Sequence, residues 1–242
     1  MRVVVSTLCN RPDYTRQMVE ALAGCHGAVD YTFMAFAEPG CPEVLEPVRR
    51  AEGRFKECVL RVNKERLYVR RNMYQALNAG FAMSDRVIVF EDDCIPSVDA
   101  LRYFEWALEQ YEDDCNVFSV AGYHRPQNTG SGEEFALAHQ AQVHRRVWFH
   151  PWGWATWRRS WQLLAGDWAL PGRSWDCHIR DLVRRRAYTE IYPAVPRVKN
   201  VGSEGGTSSR RLTPKQYADM HDNGHAWAGN WELPEVRLWV ER

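Results

Sequence analysis

Over the first 120 residues short apolar runs alternate with stretches of helical period. Residues 2–6 (RVVVS), 31–36 (YTFMAF), 57–62 (ECVLRV), 86–91 (RVIVFE) and 116–120 (NVFSV) read as strands. Four consecutive apolar residues at 87–90 mark a strand covered on both faces. The intervening segments read as helices. Residues 12–23 open on Pro12, space Met18, Val19 and Leu22 along one face, and stop at Gly24. A short helix is expected over 42–51, and Leu67, Tyr74, Leu77 and Phe81 mark another. Ser97 is expected to cap a helix carrying Leu101, Phe104, Leu108 and Tyr111. This rhythm predicts an α/β fold built on an open, mostly parallel sheet with helices on both faces.

The second half is less regular. Residues 122–134 and 202–210 are rich in Gly and polar residues and read as loops, while 147–161 (VWFHPWGWATWRRSW) holds five Trp. Residues 174–186 (SWDCHIRDLVRRR) read as a capped helix with Ile179, Leu182 and Val183 turned inward. No internal repeat breaks the chain, so residues 1–242 are expected to form one domain of two halves, 1–120 and 121–242.

Composition narrows the picture. Eleven Trp, ten Tyr and nine Phe in 242 residues argue against disorder. No uncharged apolar run approaches the roughly 18 residues of a membrane span, and the N-terminus reads as a strand, not a signal peptide. Seven scattered cysteines without a C-x-x-C pair suggest reduced thiols in a cytoplasmic protein. The net charge is zero, yet residues 140–215 hold 14 Lys/Arg against 5 Asp/Glu, and 27 of the 31 basic residues are Arg. Arginine pairs bidentately with phosphate and carboxylate, so the basic half reads either as a solvated surface or as a site for an anion.

The sharpest local signal is VIVFEDDCIPS (87–97). A buried strand runs into Glu91, Asp92 and Asp93, and in open α/β sheets ligands bind at the carboxyl ends of the strands. Three adjacent carboxylates repel one another unless a cation or ligand hydroxyls balance them. Mg²⁺ or Mn²⁺ bound by one or two carboxylates together with substrate phosphates fits this pattern.

Five segments in order, STLCNRP (6–12), FAEPGC (36–41), VIVFEDDCIPSVDALRYF (87–104), FHPWGWATWRRSW (149–161) and SWDCHIRD (174–181), resemble GT-A-fold glycosyltransferases. The likeness is to the inverting N-acetylglucosaminyltransferase I type and related bacterial sugar transferases. It implies a donor half over 1–120 and an acceptor half over 121–242. It places Arg11, Glu38, Glu91 and Asp92 around a UDP-sugar, with Ser6 and Thr7 of the first segment beside them, Asp93 on the metal and Asp176 as catalytic base; one of Lys64, Arg66 and Arg210, with Arg66 preferred, is expected to add positive charge near the diphosphate. Trp152, Trp154 and Glu204 fall on the acceptor side. One departure concerns a late histidine of the related families: GSEGGTSSR (202–210) has Ser208 and Ser209 there, leaving His221 or His225 as substitutes.

The implied reaction is metal-dependent transfer of a hexose or N-acetylhexosamine from a UDP-sugar to an acceptor hydroxyl, with inversion. Asp176 would take the hydroxyl proton. Asp176 also lies in a first helical turn, where an acid simply favours the macrodipole; Asp181 and Glu204 are its rivals. A saccharide is the favoured acceptor. The alternative is a hydroxymethylated base in DNA, suggested by the Arg pairs and runs interleaved with Trp. A metal-dependent nucleotidyltransferase and a non-catalytic nucleotide- or sugar-binding module remain the other classes.

Overall fold

The computed structural model describes residues 1–124, 133–166, 168, 174–203 and 238–242. The chain begins β1 (Arg2–Leu8), α1 (Pro12–Ala23), β2 (Tyr31–Ala37), α2 (Leu45–Arg50), β3 (Glu57–Val62), α3 (Tyr68–Met83) and β4 (Arg86–Glu91). It continues through β5 (Cys94–Pro96), α4 (Ala100–Gln110), β6 (Val117–Ala121), α5 (Glu133–His139), β7 (Gln142–Arg146), β8 (Trp154–Trp157) and α6 (Arg158–Ala165). The last elements are α7 (Trp175–Arg186), β9 (Thr189–Pro193), β10 (Val198–Asn200) and β11 (Val240–Glu241).

Among the described residues nine strands form one sheet in the order β11-β7-β9-β6-β8-β4-β1-β2-β3. The β3-β2-β1-β4 half is parallel throughout, so β1, β2 and β4 end at one rim. β8 runs antiparallel between β4 and β6, and a small antiparallel pair, β5 with β10, stands at the end of β4.

The alternation of side chains along each strand produces two cores. Val4, Ile88 and Phe90 face α1, α2 and α4; Val3, Val5, Val87 and Val89 face α3, α6 and α7. Each fully buried Val, Leu or Phe contributes about 1.5–3 kcal/mol, so the β1–β4 half is held mainly by these two layers. The predicted α/β sheet, its five first-half strands and the helix over 12–23 are all present. Two details differ. The helix expected from Ser97 begins at Ala100, with Asp99 at its cap position; the Ser97 hydroxyl donates to Asp99 Oδ1 at 2.7 Å instead. The stretch expected as a loop over 122–134 enters α5 at Glu133, and residues 125–132 lie outside the described residues.

The Trp-rich segment forms β8, whose four residues are all buried at the middle of the sheet. Trp154 sits in one core against Phe149 and Trp175, and Trp157 sits in the other. Gly153, just before β8, has φ +58°, and an added Cβ would lie 2.5 Å from Val198 Cγ2. Only glycine lets β10 close on this turn.

A buried ion pair ties β10 to α4. Arg197 is fully buried; its Nε donates to Asp99 Oδ2 at 2.9 Å and its remaining nitrogens donate to the carbonyls of Val195 and Gln140. Arg197→Leu leaves Asp99 buried without its partner, and the expected loss is about 3–5 kcal/mol. Urea unfolding checks this; adding Asp99→Leu should recover much of the loss.

Candidate active site

The rim where β1 and β4 end carries the acids singled out in the sequence. β4 is forced to this position by its apolar residues 87–90, and the chain turns at Asp92 and Asp93 before entering β5. Arg11, in the β1–α1 connection, reaches across. Its guanidinium makes a two-pronged contact with the Asp92 carboxylate and places Nη1 2.9 Å from Asp93 Oδ2. The Cys9 backbone N–H also donates to Asp92. Asp93 is fixed from its other side: Asn200 Nδ2 donates to Oδ1 at 3.0 Å, and Gly202 N–H donates to Asn200 Oδ1 at 2.9 Å.

The charge balance is negative. Desolvation and the neighbouring Asp93 and Asp92 hold the Glu91 carboxyl well above the usual carboxylate range, with Arg11 opposing and Asp176 adding to the rise. Desolvation raises Asp92 to about 6, with Asp93 acting in the same sense and Arg11 opposing. One arginine therefore faces three crowded carboxyls, and such a site favours an added cation. Among the described residues no three acids, histidines or cysteines are grouped to hold a metal ion, so a hard divalent ion here would rest on one or two carboxylates completed by substrate phosphates. Gly202 packs so closely on Asp93 that an added Cβ would overlap Oδ2. Gly202→Ala should therefore displace the Asp93 carboxylate and, if Asp93 holds the ion, weaken Mn²⁺ binding about 10–100-fold. Calorimetric Mn²⁺ titration in the presence of UDP checks this.

The other expected residues distribute as follows. Glu38, just beyond β2, is buried; its Oε2 accepts from Leu67 N–H at 2.8 Å, while Oε1 is buried with no hydrogen-bond partner among the described residues. Arg66 is exposed on the β3–α3 connection, 5.1 Å over the Tyr68 ring, and acts electrostatically on Cys9, as do Glu38 and Asp92. Thr7 pairs with Glu91 in the β1–β4 register. Ser6 lies one residue deeper, fully buried, its hydroxyl without a hydrogen-bond partner among the described residues.

Asp176, the second residue of α7, is close enough to the rim to act on Glu91. Its carboxylate is held by the Ser174 hydroxyl and by Arg180, one turn along the helix. The expected backbone cap by Ser174 is absent; its side chain holds Asp176 instead. Trp152 is half-buried against Tyr123 and His150, with ring centroids 4.8 and 4.9 Å away. Trp154 is fully buried and belongs to the core, which corrects its expected place on the acceptor side: β8 is covered on both faces. Glu204, His221 and His225 lie outside the described residues.

Three residues of the site were not singled out from sequence. Arg180 was visible in principle, since i and i+4 share a helix face. Asn200 and Gly202 gave no local signal, because they reach Asp93 through the pairing of β10 with β5.

The mostly parallel α/β sheet, with acids and an arginine at its carboxyl rim, matches solved glycosyltransferases of the GT-A fold. The structure is similar to a mannosyltransferase, PcManGT from Pyrobaculum calidifontis, solved with GDP-Man and Mn²⁺, at TM-score 0.56 and 18% identity over 84% of this chain and 58% of that one. It is also similar to S. aureus TarS 1–349 in complex with UDP-GlcNAc, at TM-score 0.57 and 12% identity over 88% of this chain and 62% of that one. The chain thus spans about three fifths of the length of these solved structures. The sequence model of the GNT-I family matches residues 66–221, more than half of the chain, and the chain belongs to that family. No curated protein sequence matches it.

Proposed function

We propose that this chain transfers a hexose or N-acetylhexosamine from a UDP-sugar to an acceptor hydroxyl, with inversion at the anomeric carbon. The observation that carries this reading is the meeting of Arg11, Asp92 and Asp93 at the carboxyl ends of β1 and β4, with Asp176 on α7 near enough to act on the adjoining Glu91. The nucleotide sugars and Mn²⁺ bound by the structural neighbours support a nucleotide-sugar donor and a divalent ion.

Asp93 would hold Mn²⁺ or Mg²⁺, which when bound supplies Lewis-acid stabilisation of the leaving diphosphate. Arg11 binds phosphate oxygens once it exchanges part of its carboxylate contact for the donor. Glu91 and Asp92 face the ribose and sugar hydroxyls, with Thr7 beside them. The unpartnered Glu38 Oε1 accepts an N–H of the base, and exposed Arg66 flanks that pocket. Asp176 accepts the proton of the acceptor hydroxyl as its oxygen bonds to the anomeric carbon and the bond from that carbon to the diphosphate oxygen breaks. A single in-line displacement inverts the centre. Ser174 and Arg180 orient the carboxylate. Trp152 borders the acceptor side.

The seven free cysteines support a reducing compartment, the cytoplasm. No helix among the described residues is long and apolar enough to cross a membrane.

The test is a nucleotide-sugar screen with and without chelator, followed by product mass. UDP release that needs a divalent ion, with a hexosyl mass gain on the acceptor, supports the reading. Transfer of the nucleotide itself would make the chain a nucleotidyltransferase, and donor binding without turnover would make it a binding module.

A further inference from the structure

Next to Asp176 lies a cationic, aromatic surface that sugar transfer as described does not use. Trp148 is 37% exposed, beside the exposed Val147. The guanidinium carbons of Arg180 and Arg184, one turn apart on α7, stand 5.3 and 6.0 Å from the Trp148 ring centroid. Arg180 also holds Asp176, so one side chain joins the proposed base to the exposed ring. Arg184, Arg185 and Arg186 are exposed, and Arg184 and Arg186 make no ion pair with an acid among the described residues. A helix C-terminus attracts cations, but its dipole amounts to only about half a charge, far less than this run of arginines carries.

We propose that the acceptor is a single strand of nucleic acid. Its phosphates lie on Arg184 and Arg186 and one base stacks on Trp148, so that a hydroxyl on a neighbouring nucleotide reaches Asp176. Just over two helical turns, about 12 Å along the axis, separate Asp176 from Arg184, which sets the phosphate contacts a short span of strand away from the reacting hydroxyl. Guanidinium forks match phosphate oxygens, and a base stacks on an exposed indole whatever its identity. A neutral saccharide uses the ring and leaves Arg184 and Arg186 without an anion. The hydroxyl's role as acceptor rests on the transfer reading; the binding of the strand does not.

The experiment uses the full chain and a fluorescein-labelled 12-nucleotide single-stranded DNA without donor, followed by anisotropy between 50 and 200 mM NaCl. Expected is binding that weakens steeply with salt, with a logarithmic slope of about −0.7 for each phosphate contacted. The double variant R184E/R186E should bind at least tenfold more weakly. Trp148→Ala should also bind about tenfold more weakly, and both variants should keep wild-type thermal stability and UDP affinity. In a second arm, an oligonucleotide carrying a 5-hydroxymethylpyrimidine is incubated with UDP-sugar and Mn²⁺, and its mass should rise by one sugar. Salt-insensitive or undetectable binding overturns the proposal. So does transfer to a neutral oligosaccharide that R184E/R186E leaves unchanged. Equal binding of a polyphosphate that lacks bases, untouched by Trp148→Ala, overturns the assignment to nucleic acid. Strand binding with no sugar released to any acceptor overturns the transfer reading, and with it the strand's place as acceptor.

Discussion

Asp93→Ala should abolish divalent-ion-dependent binding of a UDP-sugar and lower transfer by about 10²–10³-fold, the scale on which one electrostatic stabiliser of a developing charge acts. The expected signature is loss of the difference between titrations with and without Mn²⁺, with the fold unchanged by circular dichroism. Asp93 is the acid for which the structure provides most support: Arg11 Nη1 at 2.9 Å, Asn200 Nδ2 at 3.0 Å and the bare backbone of Gly202. A variant that still binds donor with full metal dependence would remove Asp93 from the site. The pH dependence has a defined sign. Asp92 sits near pH 6 and Glu91 above its ordinary value, so metal-dependent donor binding should weaken as pH falls through about 6 and the rim takes up protons. The metal-free fold behaves oppositely. Its raised carboxyls bind more protons than the unfolded chain does, so its stability should rise as pH falls from about 6 toward the unfolded carboxyl value. Paired Mn²⁺ titrations and thermal melts between pH 5 and 7.5 separate the two trends.

Asp176→Asn should leave donor and metal binding intact and lower transfer by about 10²–10⁴-fold, the usual contribution of a positioned general base. Asparagine keeps the shape and the Ser174 contact but cannot take the proton. The separation matters more than the size of the loss: binding measured by calorimetry should match wild type while single-turnover transfer collapses. A variant that transfers sugar at the wild-type rate assigns Asp176 to the helix macrodipole alone.

Much of the first half was legible in the chain itself. Strands 57–62 and 86–91 and the helix over 12–23 appear with the expected ends, because apolar runs, Pro12 and Gly24 are local signals read by local geometry. The position of Glu91, Asp92 and Asp93 at the rim was legible for the same reason. The Trp-rich segment was misread in part. The likeness put Trp152 and Trp154 on the acceptor side, yet β8 is inserted between β4 and β6, so Trp154, Trp157 and Trp161 are core residues and Trp148 alone among the five stands substantially exposed. Nothing local announces that a strand from the second half will enter the middle of the sheet.

The amino-acid sequence by itself determined the α/β rhythm, the buried β4 strand and the acids that end it, since hydrophobic period and strand polarity act over a few residues. Only the tertiary structure decided that Arg11 would clasp Asp92 and Asp93, that Asn200 and Gly202 would support Asp93 from behind, and that Arg180 would join Asp176 to Trp148. Those contacts join residues that are mostly far apart in the chain, and their partners are chosen by which strands pair and which helices cover them.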